Sequence, residues 1–258
     1  MVNSTVLIYR DYGVGDLTNL ERGLKAYFEP RDVSVDFTDA ASILKENVLT
    51  SDVLLFVMPG GAATPFLQKL KVQGNDKIRE YIYRGGHYLG ICAGAYYACS
   101  NIEFETDIKP LSIVRNHELL DLIDVSAVGT LHNELHIRPY MKNEASGATV
   151  RLKWADDEIH FAHYHGGPKF VSNHANYEVL ACYADIEQEP AAIIAKNYGL
   201  GRVVLSGVHF EDSGNDLKKA LHALRVDFNE AKDNADLLIE NEMSRKILFN
   251  KIMSYFSK

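Results

Sequence analysis

Near the start of the chain, Val6-Leu7-Ile8-Tyr9 and Val53-Leu54-Leu55-Phe56-Val57 are apolar at every position. A strand with one face in water alternates polar and apolar residues. A strand without alternation must be covered on both faces, the condition of a parallel sheet between helix layers. Val33-Ser34-Val35-Asp36-Phe37 supplies a third strand between these two. The intervening segments carry the helical period, with Leu17, Leu20, Leu24 and Phe28 on one face and Phe66, Leu67, Leu70, Ile78 and Ile82 on another. Gly85-Gly86 stops the second of these helices, and His87-Tyr88-Leu89-Gly90-Ile91 reads as the next strand. This alternation predicts an α/β fold, a mainly parallel sheet with helices on both faces.

Beyond Pro110 the strands come closer together. Val150–Trp154, Ile159–Tyr164, Val179–Tyr183, Ala191–Ala195 and Arg202–Val208 follow one another with little room for helical crossovers, which predicts antiparallel strand additions. From about residue 216 to 258 the pattern is a nearly continuous helical tail. Leu237, Leu238, Arg245, Leu248, Ile252 and Tyr255 share one pattern there, predicted to cover the sheet; docking to a protein partner is the alternative. No internal repeat or Pro/Ser-rich linker interrupts the chain, so residues 1–258 read as a single domain.

Composition narrows the class of partner. The 258 residues are 47% hydrophobic and 24% charged, enough apolar mass for a large core, which excludes a disordered chain. With 27 Lys plus Arg against 35 Asp plus Glu, the net charge of −8 offers no attraction to phosphate backbones or anionic lipid. Neither a nucleic acid nor a membrane is expected as a partner. The first residues lack a basic region, and the apolar run after them stops at Arg10-Asp11, so it reads as a strand and not a signal peptide. No apolar run approaches the roughly 18 residues of a membrane span. Three cysteines, Cys92, Cys99 and Cys182, are too few for a disulfide framework and point to reduced thiols in the cytoplasm.

One cysteine stands apart. Gly90-Ile91-Cys92-Ala93-Gly94 lies where a predicted strand meets a predicted helix, the context of a nucleophile elbow. So sharp a turn strains its central residue, and the neighbours must be small, as Gly90, Ala93 and Gly94 are. A thiol at that tip stands at a helix N-terminus, where unpaired amides favour thiolate. Cys99 and Cys182 lack such a context and read as packing residues. Far downstream, Leu205-Ser206-Gly207-Val208-His209-Phe210-Glu211 delivers an imidazole near the end of a strand, with a carboxylate two residues later on the same side of an extended chain. An imidazole activates a thiol best when a carboxylate holds its other nitrogen. Carboxyl ends of parallel strands share one rim, so the two segments can meet.

Gly-Ile-Cys-Ala-Gly followed by Gly-Val-His-Phe-Glu resembles the class I glutamine amidotransferase-like superfamily, whose chemistry runs through Cys, His and Glu in chain order. Within it the sequence is most similar to the amino-terminal domain of biotin protein ligases, in a free-standing form. Gly90 to Ala98, the Tyr164-His165-Gly166-Gly167-Pro168 turn and Gly207 to Glu211 carry that resemblance. It implies a flavodoxin-like sheet, with Cys92 as nucleophile, His209 as base and Glu211 as orienting carboxylate. The oxyanion hole would be the N–H of Ala93 with Gly60 and Gly61 of the Met58-Pro59-Gly60-Gly61-Ala62 loop, whose glycines allow close backbone approach. Tyr96, Tyr164, His165 and Gly166 are assigned to lining the substrate site. Glutamine-hydrolysing members place a glutamine soon after the elbow; this chain has Ala95 and Tyr96, so glutamine hydrolysis is not implied. The chain ends about fifty residues beyond Glu211, leaving no room for a synthetase or biotinyl-transfer domain, so ligation by this chain alone is not implied either.

Other clusters carry less. His132-Asn133-Glu134-Leu135-His136 is not the His-Glu-x-x-His of a zinc peptidase and reads as a solvated loop or helix face. His163 and His165 share one face of a strand but lack an evident third ligand, so no metal is expected, and no cofactor. Asp11-Tyr12-Gly13-Val14-Gly15-Asp16 is a failed dinucleotide loop, with Thr18 where the third glycine belongs and two carboxylates that repel pyrophosphate; it reads as a turn at the site's edge. The expected function is a cysteine hydrolase or amidase-like enzyme acting on a small amide or ester. The alternatives are a non-catalytic small-molecule-binding or regulatory module related to the biotin protein ligase amino-terminal domain, without ligase activity, and a PfpI-like peptidase or aldehyde-processing protein with Asp11 as a loose candidate for its acidic partner.

Overall fold

In the computed structural model, residues 4–172, 174, 176–226 and 228–256 are described, the side chain of Glu144 excepted. The amino-terminal half contains β1 (Ser4–Tyr9), α1 (Thr18–Phe28), β2 (Val33–Thr38), α2 (Ala40–Lys45), β3 (Val53–Met58), α3 (Ala63–Tyr83), β4 (His87–Ile91) and α4 (Ala93–Ala98). Then come β5 (Cys99–Phe104), β6 (Ile113–Arg115), β7 (Ile123–Gly129), β8 (Ala148–Trp154), β9 (Ile159–Tyr164), β10 (Lys169–Val171), β11 (Glu178–Tyr183), β12 (Ala191–Tyr198) and β13 (Gly201–Ser206). The chain closes with α5 (Gly214–Ala223), α6 (Asn229–Glu240) and α7 (Glu242–Ser254).

The parallel core follows from the unalternated strands. β2, β1, β3, β4 and β13 lie side by side and are all parallel. Val6 and Ile8, Leu55 and Val57, and Leu89 and Ile91 face one helix layer, formed by α1 and α7. Leu7 and Tyr9, Phe56 and Met58, and Tyr88 face the other, formed by α3 and α4. Each such side chain moved out of water contributes about 1.5–3 kcal/mol before ordering costs. α1 and α7 approach so closely that a Cβ on Gly23 would lie 2.8 Å from Phe249 Cε2.

The additions on the far side are mixed, as the short spacing predicts. β12 runs antiparallel to β13, β10 joins β12 to β7, and β5 with β6 ends the sheet. β11 pairs with both β12 and β8, and β8 pairs with β9, so these strands fold back over the Cys92 side of the core.

Two features depart from the pattern read in the sequence. The helical tail is three helices and not one: a break around Arg225, whose φ is 53°, separates α5 from α6, and Asn241 separates α6 from α7. α5 and α6 pack mainly on each other through Leu217, Leu221, Ala231, Ala235 and Leu238, while α7 covers the sheet. β5, β6, β7 and β10 also lie outside the sequence reading. β6 and β10 have three residues each, too short for a period, whereas β7 alternates cleanly, with Ile123, Val125 and Ala127 buried.

Ile252 in α7 is fully buried against the central strands. Ile252→Ala is expected to cost about 2–5 kcal/mol. In urea unfolding this appears as a lower midpoint with an unchanged slope; a midpoint that does not move would show that α7 is not a structural layer.

Candidate active site

The site is assembled by the pairing of β4 with β13. These strands are parallel neighbours with Ser206 opposite Ile91, so the residues that follow each emerge side by side at the carboxyl edge. The Cys92 N–H donates to the Ser206 carbonyl at 2.9 Å. Cys92 has φ 49° and ψ −105°, a conformation that L residues avoid, and α4 begins at the next residue. Its neighbours are small because backbone closes in from both sides. A Cβ on Gly94 would lie 2.0 Å from the Met58 carbonyl oxygen, and one on Gly90 2.7 Å from that of Gly94. α4 has only six residues, so its dipole gives Cys92 less support than the sequence pattern suggests.

His209 arrives by a different route from the one expected. β13 ends at Ser206, so His209 and Glu211 are not alternate residues of an extended strand. Instead the His209 N–H donates to the His163 carbonyl on β9 at 2.8 Å, Phe210 turns into the core against Phe249, and a turn brings Glu211 back. Glu211 Oε1 then lies 2.8 Å from His209 Nδ1. With Nδ1 committed to Glu211, the other edge of the ring lies beside Cys92, since one point above Gly60 is within 3.4 Å of His209 Nε2 and 3.6 Å of Cys92 Cβ. Burial alone would push His209 down, but the charges of Glu211 and Cys92 outweigh it and hold the imidazole well above its usual range. The other two cysteines are set apart: burial pushes Cys99 well up, and burial with the Glu189 carboxylate pushes Cys182 up.

The Met58–Ala62 loop closes over this pair. Gly60 has no room for a side chain, since a Cβ there would lie 2.6 Å from His209 Cε1 and 3.6 Å from Cys92 Cβ. Gly61 has φ +138° and pairs with Val14, so the Asp11–Asp16 segment is indeed a turn at the edge of the site. Its bonds are Ala62 N–H to the Gly13 carbonyl at 2.8 Å and Gly15 N–H to the Gly60 carbonyl at 3.0 Å. Among the described residues neither Gly60 nor Gly61 donates a backbone–backbone hydrogen bond. Ala93 opens α4, where first-turn N–H groups have no intrahelical acceptor. Asp11 itself is engaged by the N–H groups of Tyr12 and Ala40 and by Lys69.

The side chains assigned to a substrate wall are placed unequally. Cys92 Sγ lies 3.7 Å from the His165 carbonyl oxygen, so the Tyr164–Pro168 turn does reach the thiol. Tyr96 is buried, donates to the Gly166 carbonyl at 3.2 Å and meets Phe104 edge-on. Tyr164 is buried too; its hydroxyl donates to the Gly167 carbonyl and accepts from Leu131 N–H, which fixes the turn and leaves no polar tip for a ligand. Tyr140 covers Gly166 and lies against the rings of Phe104 and His165. Gly167 owes its smallness to Gly207, whose carbonyl oxygen would sit 1.9 Å from an added Cβ.

Elsewhere, His132 is not on a solvated face: it lies in a turn, with Nδ1 2.9 Å from the Thr130 hydroxyl and 3.3 Å from the buried Glu105 carboxylate. Among the described residues, His209, Glu211 and Asp212 place donor atoms within 4.8 Å of one another, but the first two are already spent on each other.

Two neighbours of the site escaped the sequence reading. Arg245 of α7 donates to the carbonyls of Phe210 and Glu211 at 2.7 and 3.3 Å and is held by Glu242, so the tail fixes the turn that carries Glu211. Asp212 lies 3.0 Å from His163 Nδ1. A basic residue on a helix pattern and an aspartate after a glutamate carry no distinguishing signal of their own.

Comparison with known proteins places this geometry in a family. The model of the family described as "Biotin-protein ligase, N terminal" matches residues 4–257. The chain belongs to that family. An uncharacterized protein of Chlamydia muridarum is 31% identical over 212 residues, covering 80% of each chain. The biotin–protein ligase of Schizosaccharomyces pombe is 30% identical over 213 residues, which is 81% of this chain but 33% of the ligase. A solved glutamine amidotransferase of Thermotoga maritima superposes with a TM-score of 0.60 at 14% identity, covering 99% of both chains. A second glutamine amidotransferase gives 0.55 at 16% identity, covering 85% of this chain and 99% of its own. The fold of this family member is thus glutamine amidotransferase-like, a flavodoxin-like sheet with antiparallel additions. Among the described residues no helix is long and apolar enough to cross a membrane.

Gly60→Ala pushes a methyl group into the imidazole and is expected to slow alkylation of Cys92 by roughly 100-fold, the cost of about 1 Å of misplacement. Rates from intact-protein mass spectrometry check this; an unchanged rate would mean that His209 does not support the thiol.

Proposed function

We propose that this protein is a cysteine hydrolase of the amidase type, acting on a small soluble amide or ester in the cytoplasm. The observation that carries the reading is the His209 imidazole, bonded to Glu211 through Nδ1 and lying beside Cys92 at a strained elbow. In this reading Cys92 is the nucleophile, His209 the base and Glu211 the group that fixes its tautomer.

The steps balance without a further reactant except water. The thiolate attacks the carbonyl carbon, and the oxygen takes the negative charge opposite the N–H groups of Ala93 and of Gly60 or Gly61. The imidazolium gives its proton to the departing amine or alkoxide as the bond to carbon breaks, leaving a thioester. Water then adds while His209 takes its proton, the carboxylic acid leaves, and the thiolate–imidazolium pair is restored. Tyr96, His165 and Gly166 form the wall nearest the sulfur, and Tyr164 holds that wall in place. With Ala95 and Tyr96 after the elbow, glutamine is not the proposed substrate, and no ligase activity is assigned.

A second reading is favoured by one observation: Cys92 is 6% exposed and its sulfur is faced by the His165 carbonyl, a closed setting that also suits a non-catalytic module for a small ligand. The two readings separate on reactivity. On the first, a neutral electrophile such as chloroacetamide labels Cys92 at least about 100-fold faster than Cys99 or Cys182 at neutral pH. His209→Gln, which removes the imidazole beside the thiol, is expected to lower that preference by about 100-fold or more. Equal labelling of the three thiols would remove the hydrolase reading. A metabolite screen comparing the wild type with Cys92→Ser, read by mass spectrometry, then identifies the substrate through the product that the variant does not form.

A further inference from the structure

His163 was singled out by its strand position, yet the chemistry above does not use it. It is 1% exposed, and its ring lies parallel to that of His165 at 6.0 Å and 6.1 Å from that of His209. Its place is built for an imidazole, because a Cβ on Gly147 would come 2.4 Å from Nε2. Its Nδ1 lies 3.0 Å from Asp212 Oδ2, and that same oxygen is 3.9 Å from His209 Nδ1. Asn19 of α1 donates to the other Asp212 oxygen at 3.2 Å, and the Asp212 N–H donates to the His209 carbonyl at 3.4 Å.

We infer that Asp212, held by His163 and Asn19, is a second positioning carboxylate for His209, one that takes over the Nδ1 contact when Glu211 is removed. The inference rests on the reading of Cys92 as an activated nucleophile. Its physical basis is that two carboxylates converge on one imidazole nitrogen from different anchors. Glu211 is fixed through the backbone by Arg245, and its Oε2 is buried without a hydrogen-bond partner among the described residues. Asp212 is fixed through its side chain by β9 and α1, and is more open to solvent, with 27% of its side chain exposed against 7% for Glu211.

Closing the gap from 3.9 Å to a hydrogen bond needs about 1 Å of movement, within reach of a small χ adjustment. Burial would raise the Asp212 carboxyl, but the His163 hydrogen bond and the His209 charge outweigh it and hold it well below the usual carboxylate range, so it is anionic at neutral pH. The charged and titratable groups around His209 are therefore Cys92 on the elbow, Glu211 and Asp212 on its own segment, His163 and His165 on β9 and the turn after it, and Arg245 from α7. The Met58–Ala62 loop adds glycines and no charge.

A mutant cycle on Cys92 alkylation tests this. Glu211→Ala is expected to slow labelling roughly tenfold or more. Asp212→Ala alone slows it about two- to fivefold, the effect of losing a partly exposed charge. The double variant falls more than about tenfold below the product of the two singles, because the substitute carboxylate is gone. His163→Gln copies Asp212→Ala and adds nothing in its absence. Asp212→Asn, nearly isosteric, replaces the alanine variant if thermal melting shows that the latter is not folded.

Labelling losses that simply multiply, or losses that appear in melting temperature alone, would make the pair a structural clamp and overturn the inference while leaving the hydrolase reading intact. Wild-type Cys92 that labels no faster than Cys99 and Cys182 would overturn both.

Discussion

The structure depends on one pairing, that of β4 with β13 in parallel register, Ser206 opposite Ile91. Residues more than a hundred positions apart in the chain become neighbours through it, and both strands are apolar on both faces because helices cover each side of the sheet. A shift of one residue would turn the faces of β13 over and carry His209 away from the elbow. Because Val203, Val204 and Leu205 are all fully buried, such a shift gains no burial. The ladder between the two strands and the Cys92 N–H bond to Ser206 favour the observed register.

Around that pairing, glycines let backbone and rings approach. Gly94 against Met58, Gly60 against His209 and Gly167 against Gly207 each occupy a point where a Cβ would collide. Together they draw the elbow, the Met58–Ala62 loop and the Tyr164–Pro168 turn onto one sulfur atom. The aromatic groups Tyr96, Phe104 and Tyr140 then fill the wall behind Gly166, contributing area burial and edge-on contacts with no charge. The strain at Cys92, of order 1–3 kcal/mol, is held by these contacts.

Legibility in the sequence tracked the range of the signal. The unalternated strands, the Gly85-Gly86 stop and the Cys92 elbow are written in a few consecutive residues, and the structure places them where the pattern does. The two short strands β6 and β10 have no period to detect, and the tail read as continuous because the break around Arg225 contains no proline or glycine. The His209–Glu211 contact was anticipated with the wrong local geometry. Spacing of two suits both an extended chain and a turn, and only the bridge from His209 to His163 decides for the turn.

From its sequence alone, then, this protein is an α/β chain of parallel core and antiparallel additions, with one cysteine at a strand-to-helix elbow and a His-x-Glu segment to meet it. Those properties are local, since periodicity and glycine placement act within a turn or two. The tertiary structure decided what surrounds the imidazole. His163 comes to Asp212 across 49 positions because β9 bridges to the segment after β13, and Arg245 reaches Glu211 because α7 packs back across the sheet. Such contacts arise from the closing of long loops onto a shared core, and no neighbouring residue encodes them.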